Sequence, residues 1–236
     1  MRRPGLWSIC LTLFGLILML SLGIWQLQRM AWKDGLAAEI AAGMAAAPMS
    51  LSEKLSGQPG NLAALNYRSV RVRGRFLHQA EAFLGPRSHQ GQSGLHVLTP
   101  LRLANGATIL INRGWVPNDR RDPSSRAEGQ PRGEVAVQGV LRSHLKQGTW
   151  TPDYDAKADL WFWYDIDGIA TSRGLNLRGG VVQADGRANP GGLPIGGVAQ
   201  PALVNNHLQY AITWFSLSAV LLAVFLLANR GKREET

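Results

Sequence analysis

The stretch LWSICLTLFGLILMLSLGIWQL, from Leu6 to Leu27, holds 22 residues and no charged side chain. A second uncharged stretch, YAITWFSLSAVLLAVFLLA, runs for 19 residues from Tyr210 to Ala228. A bilayer core is crossed by about 20 helical residues, and a single segment in lipid satisfies its backbone hydrogen bonds only as a helix. The two stretches therefore predict a membrane protein with two spanning helices and a large domain between them.

The first stretch is longer than the apolar part of a cleaved signal peptide, which has about 7 to 15 residues. Near its end stand Trp25, Gln26 and Arg29, where a signal peptide would have small residues before its cleavage site. We therefore expect this helix to be retained as an anchor. Only five residues precede it, which does not fit a mitochondrial transit peptide and favours a bacterial source.

Positive charges flank the two stretches on one side. Arg2 and Arg3 precede the first, and Arg230, Lys232 and Arg233 follow the second. Basic flanks stay in the cytoplasm, whereas long loops cross regardless of charge, so both termini are expected in the cytoplasm. The predicted division begins with a cytoplasmic N-terminus at residues 1–5 and a first span in a bacterial inner membrane at residues 6–28. A periplasmic domain follows at residues 29–206, then a second span at residues 207–229 and a cytoplasmic C-terminus at residues 230–236.

The composition narrows the class of function. Lys and Arg number 25 and Asp and Glu number 16, giving a net charge of +9. Much of this excess lies in the membrane flanks, so no nucleic-acid partner is expected. One cysteine excludes an intrachain disulfide and a four-cysteine metal site. The sequence contains no nucleophile elbow, zinc-protease helix or phosphate-binding glycine loop. We therefore expect a protein that is not an enzyme, with an envelope hydrolase as the enzyme alternative.

Alternating hydrophobicity predicts β-strands in the central domain. In Tyr67–Phe76, apolar residues alternate with arginines, as in a half-buried strand. Leu95–Leu103 and Ala107–Trp115 are separated by Ala-Asn-Gly, a hairpin signal. Few long helices are available for parallel crossovers, so a mainly antiparallel sheet or small barrel of the α+β class is expected. Three further strands are predicted at Ala82–Gly85, Val135–Leu141 and Gly180–Gln183. A short helix is predicted at Ile166–Leu175, and an extension of the first helix at Met30–Ala47.

Three groups of side chains allow both a structural and a functional interpretation. Arginines on one strand form either a solvated face or a docking surface for lipid headgroups, heme propionates or an acidic partner. An aromatic block is either core or a ligand surface. A run of aspartates caps loops and helices or binds calcium, although its spacing does not match a calcium loop. The arginines are Arg71, Arg73 and Arg75, and the aromatic block is Trp161, Phe162, Trp163 and Tyr164. The aspartates are Asp153, Asp155, Asp159, Asp165 and Asp167.

His207 is the histidine whose position suggests a function. It comes three residues before the second apolar stretch and shares a helical face with Tyr210, Ala211 and Trp214. Ionisable residues in or near a span are often functional, so His207 is either a ligand or an interfacial anchor. If His207 is a ligand, its second ring nitrogen is expected to bond to an acceptor, which Asn205, Asn206 or Gln209 could provide. The other histidines lie in the central domain without the pairing that would predict a zinc site, at His78, His89, His96 and His144.

Short strings spread over most of the chain carry a resemblance to a known family. Gly23–Arg29 reads GIWQLQR, Val97–Pro100 reads VLTP, Asn112–Pro117 reads NRGWVP and Asn206–Ala211 reads NHLQYA. In this order and between two spans, these strings resemble the surfeit locus protein family, membrane proteins involved in the assembly of cytochrome c oxidase.

The resemblance implies a function and a cofactor. It implies an assembly factor for a heme-copper terminal oxidase that binds heme A and assists its delivery to the large catalytic subunit, with heme A synthase and the lipid bilayer as further partners. In bacterial members the histidine that matches His207 is implicated in heme binding, and imidazole is a common axial ligand of heme iron. From their interfacial positions, Trp25 and Trp214 are expected to flank the ring and Arg29 to meet a propionate, with Tyr210 completing the cofactor-binding set. The alternative is a membrane scaffold that holds oxidase subunits without binding heme.

Overall fold

The computed structural model of the protein describes residues 5–55, 62–143, 145–198 and 205–230. Several residues of the sequence predictions lie outside these ranges, namely Arg2, Arg3, His144, Lys232 and Arg233. The chain divides into two compact units. The helical unit comprises Met1–Glu39 and Ala202–Thr236, and the β unit comprises Ile40–Pro201.

Within the described residues the chain forms four α-helices and eight β-strands. The helices are α1 Leu6–Ala45, α2 Leu51–Lys54, α3 Ile166–Ser172 and α4 His207–Ala228. The strands are β1 Met49–Ser50, β2 Ser69–Phe76, β3 Ala82–His89, β4 Gln92–Arg102, β5 Thr108–Pro117, β6 Glu134–Arg142, β7 Leu160–Trp161 and β8 Leu177–Ala184. All the predicted strands are present. β3 is longer than predicted because its second half also pairs with β4.

The two long helices of the helical unit have the properties of membrane spans. Mean hydropathy reaches 2.2 in α1 and 2.3 in α4, and both helices are long enough to cross a bilayer. Only 6% and 11% of their apolar windows is buried, whereas a core helix of a soluble protein would be mostly buried. These helices agree with the predicted two-span architecture. α1 also continues to Ala45, as expected, because its second half is rich in alanine and contains no proline before Pro48.

Small residues allow α1 and α4 to lie close together. A Cβ atom at Gly23 would come within 2.5 Å of the Phe215 ring. Ala211 and Ser218 are the buried residues of α4. Small side chains at such a seam are the usual means by which helices pack in lipid. The seam therefore sets the spacing of the polar residues where the two helices meet near His207.

Five strands of the β unit close into a small barrel. The ring runs β2–β6–β8–β5–β4 and returns to β2 through the pairs Arg75–Arg102 and Phe76–Leu101. Neighbours in the ring are antiparallel except for β5 and β8. The first ring strand pairs with the second and the fourth in chain order, which is the connectivity of OB-fold barrels. The predicted mainly antiparallel β domain is confirmed, and of the two expected forms, sheet or small barrel, the structure has the barrel. Strands β1, β3 and β7 extend it outside the ring.

Alternation along β2 determines which side chains enter the barrel. Val70 and Val72 are buried, and Arg71, Arg73 and Arg75 are exposed between them. The side chains that fill the barrel are aliphatic residues from α2 and all five ring strands, with neighbouring loop residues: Leu51, Leu55, Val70, Val72, Leu101, Leu103, Ile109, Ile111, Leu141 and Val182. Burial of these side chains supplies the main stabilisation of the β unit.

The aromatic block and the aspartates have structural roles in the β unit. Trp161 is buried and stacks on Tyr154, with 4.1 Å between ring centroids. Asp165 caps α3 by accepting a hydrogen bond from the Gly168 amide at 2.9 Å, and Asp155 accepts two amides of its own turn. Among the described residues, no group of three metal-ligating side chains comes together. These contacts favour the core and capping interpretations.

Candidate functional site

His207 begins α4 and is tied to the other helix. Its Nδ1 atom lies 2.6 Å from the Oε1 atom of Gln26 on α1. An amide oxygen only accepts hydrogen bonds, so Nδ1 is the donor in this contact, and a neutral ring held in this way has its lone pair on Nε2. Within the part of the chain that the structure describes, no hydrogen bond engages Nε2. The ring is thus held in one tautomer with a free ligating nitrogen.

A second contact joins the same ends of the two helices. The Asn205 side-chain amide donates to Asp34 Oδ1 at 2.6 Å and to the Met30 carbonyl at 3.3 Å. Its Oδ1 atom accepts from the backbone N–H of His207 at 3.3 Å. Asn205 therefore positions the first residue of α4 against α1, and it supports the orientation in which His207 reaches Gln26.

The partner of the His207 ring differs from the one that the sequence suggested. The sequence offers Asn205, Asn206 or Gln209 as the acceptor for the second ring nitrogen, but Gln26 supplies it from α1. That prediction was wrong because the contact joins residues 181 positions apart. One signal was present in the sequence. Gln26 is the only amide side chain within the first apolar stretch, and a polar residue in a span usually has a polar partner on another helix.

The other predicted cofactor-binding residues lie in different environments. Trp25 and Tyr210 are 52% and 58% exposed on their helices. Trp214 is half-buried. The guanidinium group of Arg29 lies 4.0 Å from the centroid of the Trp32 ring, in a cation–π contact. The structure thus leaves two flat aromatic faces and one cation on the surface of the helix pair that carries His207.

A buried ionic cluster occupies the β unit, and the sequence alone did not identify it. The Glu81 carboxylate lies 2.6 Å from Arg126 Nη2 and 3.4 Å from Arg113 Nη1. Thr99 and Gln130 donate further hydrogen bonds to it at 3.1 and 3.3 Å. The available signal was an arginine within the apolar run of β5, where only a paired charge is tolerated.

The charges in this cluster are strongly perturbed. Burial alone would raise the pKa of the Glu81 carboxyl, but the His78 ring 3.6 Å away, the hydrogen bond from Arg126 and the charges of both arginines lower that pKa to about 2. Burial lowers the pKa of Arg113 to about 10, against the attraction of Glu81. Glu81 and Arg113 are therefore charged at neutral pH, and the cluster holds two guanidinium groups, those of Arg113 and Arg126, against one carboxylate.

His96 belongs to a separate buried network in the β unit. Its Nδ1 atom lies 3.1 Å from Asn112 Nδ2, which also donates to the Tyr164 hydroxyl at 2.7 Å. Burial, followed by the charges of Arg87 and His89, lowers the pKa of His96 to about 4. The ring is therefore neutral at physiological pH and acts as part of a structural hydrogen-bond network.

The fold defines the class of protein: a membrane protein in which two spanning helices flank a small β-barrel domain in the sequence. Its second helix begins with a histidine whose Nε2 atom has no hydrogen-bond partner among the described residues. The chain belongs to the SURF1 family, whose model matches residues 13–219, from within α1 to within α4. The family resemblance seen in the sequence is confirmed.

Relatives share this similarity over most of the chain. The chain is 35% identical over 213 residues to Surfeit locus protein 1 of Rattus norvegicus, covering 84% of this chain and 68% of the relative. Surfeit locus protein 1 of Homo sapiens is 35% identical over 214 residues, which cover 84% of this chain and 69% of the relative. A SURF1-like protein of Monosiga brevicollis is 36% identical over 228 residues, with 90% and 84% covered.

Proposed function

We propose that this protein is an assembly factor for a heme-copper terminal oxidase, and that it binds heme A and assists delivery of the heme to the large catalytic subunit. Heme A synthase is the proposed donor, and the lipid bilayer surrounds the site. The role needs no catalytic residues in this chain. Membership of the SURF1 family supports the general role, and the contacts of His207 support the cofactor.

The observation that carries the proposal is the hydrogen bond between His207 and Gln26. Metal-ligating histidines usually donate their second ring N–H to an acceptor, which fixes the tautomer and the ring orientation. His207 has this arrangement, since Nδ1 is 2.6 Å from the Gln26 oxygen and Nε2 is free. The donor set therefore fits an axial ligand to heme iron, in which a neutral imidazole presents one nitrogen.

The surface around His207 fits the rest of such a ligand. A porphyrin ring is flat and apolar, and its propionates are anionic. Trp25, Trp214 and Tyr210 would offer aromatic surface, and Arg29 would meet a propionate while its guanidinium stays on Trp32. When bound, heme A would supply the iron centre that the oxidase needs. This chain would hold it in the apolar phase until transfer.

The proposed location is a bacterial inner membrane, with both termini in the cytoplasm and the β unit in the periplasm. Basic residues beside the two apolar helices support this orientation. The relatives described above are eukaryotic, so the bacterial source rests on the sequence reasoning alone.

The test of heme binding is an absorption spectrum of the full-length chain purified from a host that makes heme A. We expect a heme spectrum in the native protein and its loss or alteration in His207→Ala. His89→Ala serves as the control, since His89 lies in the β unit, and it should keep the native spectrum. His207→Ala should still insert and fold, because His207 is only half-buried.

Two outcomes would contradict the proposal. A native protein without heme, from cells that make heme A, would favour the scaffold that holds oxidase subunits and binds no heme. A native spectrum in His207→Ala, together with its loss in His89→Ala, would place the heme elsewhere.

A further inference from the structure

One end of the barrel contains a cavity of about 360 Å³. Four strands meet at this end: β2 and β8 by their ends, β6 by its start and β5 by its second half. They meet because β6 runs antiparallel to β2 and β8, whereas β5 runs parallel to β8. Phe76, Val135 and Val137 supply apolar lining, and Arg113 supplies a buried cation. The volume falls within the range of small-molecule pockets, about 300 to 1,000 Å³.

Arg113 belongs to the buried cluster that has more positive than negative charge. Among the described residues, Glu81 is the one acidic partner of Arg113, and it also pairs with Arg126. The side chains of Arg113 and Arg126 are 2% and 1% exposed. Two guanidinium groups and one carboxylate leave a surplus of one positive charge. A buried charge without a counter-ion is strongly unfavourable, so this surplus favours an anion next to the cluster.

The guanidinium group of Arg113 also retains unused hydrogen-bonding capacity. Its Nε atom has no partner among the described residues, while Nη2 donates to the Gly129 carbonyl and to Asn189. The guanidinium carbon lies 4.6 Å from the centroid of the Phe76 ring, which lines the cavity. The cation and the apolar wall are thus adjacent parts of one surface.

A second arginine at the cavity does not compete for this role. Arg187 lines the cavity, but its Nε atom lies 3.2 Å from Asp185 and its Nη2 atom donates to Gln138 at 2.7 Å. Its side chain is also 64% exposed. Arg187 is therefore exposed and has a carboxylate partner of its own, whereas Arg113 is buried and shares Glu81 with Arg126.

We propose that the cavity binds a small amphipathic carboxylate, with the anionic group toward Arg113 and the apolar chain along Phe76, Val135 and Val137. The surplus of one charge matches a monoanion, and the apolar lining requires a hydrocarbon chain. The site lies wholly within the β unit, so it is independent of the proposed heme site.

The test uses the full-length chain in lipid nanodiscs, with empty nanodiscs as the baseline. Hexanoate is titrated and its binding is followed by ligand-observed NMR relaxation, with 1-hexanol as the probe without charge and acetate as the probe without a chain. We expect saturable hexanoate binding at least tenfold tighter than that of either control. In the native protein, hexanoate should also shift the Arg113 Nε–H resonance.

Variants locate the binding. Arg113→Met leaves Glu81 and Arg126 as a balanced pair, so the barrel should still fold, and hexanoate affinity should fall at least tenfold. Arg187→Gln, the matched change of an exposed arginine, should change it less than threefold. If Arg113→Met fails to fold, Val137→Phe decides, because it fills the cavity without touching the charges and should abolish binding.

The proposal is overturned by three results. The first is the absence of saturable hexanoate binding, and the second is equal binding of hexanoate and 1-hexanol. The third is native affinity in folded Arg113→Met, or in Val137→Phe where Arg113→Met does not fold.

Discussion

A single amide oxygen fixes the imidazole of His207. Replacing Gln26 by Leu keeps the volume and removes the acceptor 2.6 Å from Nδ1. The ring then loses its fixed tautomer and orientation. Loss of such a partner typically weakens metal binding by about 10- to 100-fold. We therefore expect Gln26→Leu to lower heme affinity by about that factor, measured by heme titration of the purified chain.

Gln28→Leu is the matched control, because Gln28 is exposed on the same helix two residues away. It should leave the heme affinity within about twofold of the native value. Equal affinities in both variants would show that the Gln26 contact does not support a ligand, and His207 would then be an interfacial anchor.

Glu81 links the stability of the β unit to pH. Its folded-state pKa of about 2 lies below the ordinary glutamate value of 4.5. The unfolded state therefore binds more protons between these values, and the stabilisation is complete above about pH 4.5 and lost as the pH falls toward 2. Glu81→Gln leaves two buried arginines without an anion. A loss of about 3 kcal/mol in the free energy of unfolding at pH 7 is expected.

Thermal unfolding of the full chain, followed by tryptophan fluorescence from pH 7 to pH 3, measures this effect. The difference in unfolding temperature between native protein and Glu81→Gln should shrink as the pH falls below 4.5. Glu134→Gln, a change of an exposed carboxylate at the start of β6, should unfold like the native protein throughout. A difference that stays constant with pH would contradict the assignment of a charged Glu81.

Position within the sequence explains why some site residues were predictable and others were not. His207 was recognised because a histidine beside an apolar stretch is conspicuous in one dimension. Gln26 and His207 are 181 residues apart, so no local pattern reveals their contact. Arg113 and Glu81 likewise meet only through the pairing of β3, β4 and β5. The sequence marks a residue as unusual, but only the fold supplies its partner.

At the scale of elements, closure of the barrel depends on a glycine. A Cβ atom at Gly74 of β2 would lie 2.3 Å from the Arg102 carbonyl of β4, next to the pair Arg75–Arg102 that closes the ring. Backbone cannot move aside as a side chain can. Overpacking of this kind costs about 1 to 3 kcal/mol. We expect Gly74→Ala to lower the free energy of unfolding by that amount, measured by urea denaturation.

Gly179→Ala is the control for this change. Gly179 also lies in a ring strand, but a Cβ atom there would have open space around it. The control should be as stable as the native protein. Faster amide exchange at Leu101 and Arg102 in Gly74→Ala, but not in Gly179→Ala, would locate the damage at the closure. Equal stability of the two variants would show that the β2–β4 contact is not required.

The strands were predictable and their order was not. Period-two alternation identified β2, and the Ala-Asn-Gly turn identified β4 and β5, because both signals are local. The parallel pairing of β5 with β8 joins residues such as Asn112 and Gln183, and no local signal specifies that partner. Closure of the ring through the pairing of β2 with β4 also has no local signal, because it depends on the shape of the whole sheet.

At the scale of the whole molecule, one chain forms two units whose exposed surfaces differ in polarity. The helical unit exposes apolar side chains such as Leu11 and Val220, which suits lipid. The β unit buries its aliphatic residues and exposes the arginines of β2, which suits water. The change between these patterns follows the division at Glu39 and Ala202. A membrane protein with a domain in the aqueous phase requires this division.

The same division predicts the arrangement across the membrane. Two spans return the chain to its starting side, and the basic residues outside them favour the cytoplasm for both ends. Reporters that are active on only one side of the membrane are fused at Thr236 and inserted within the segment Asn118–Gly133, at its exposed residues 122–124. We expect the Thr236 fusion to report the cytoplasm and the insertion to report the periplasm. Reversing the charges at Arg230, Lys232 and Arg233 should weaken this preference, whereas the same side for both reporters would exclude a two-span topology.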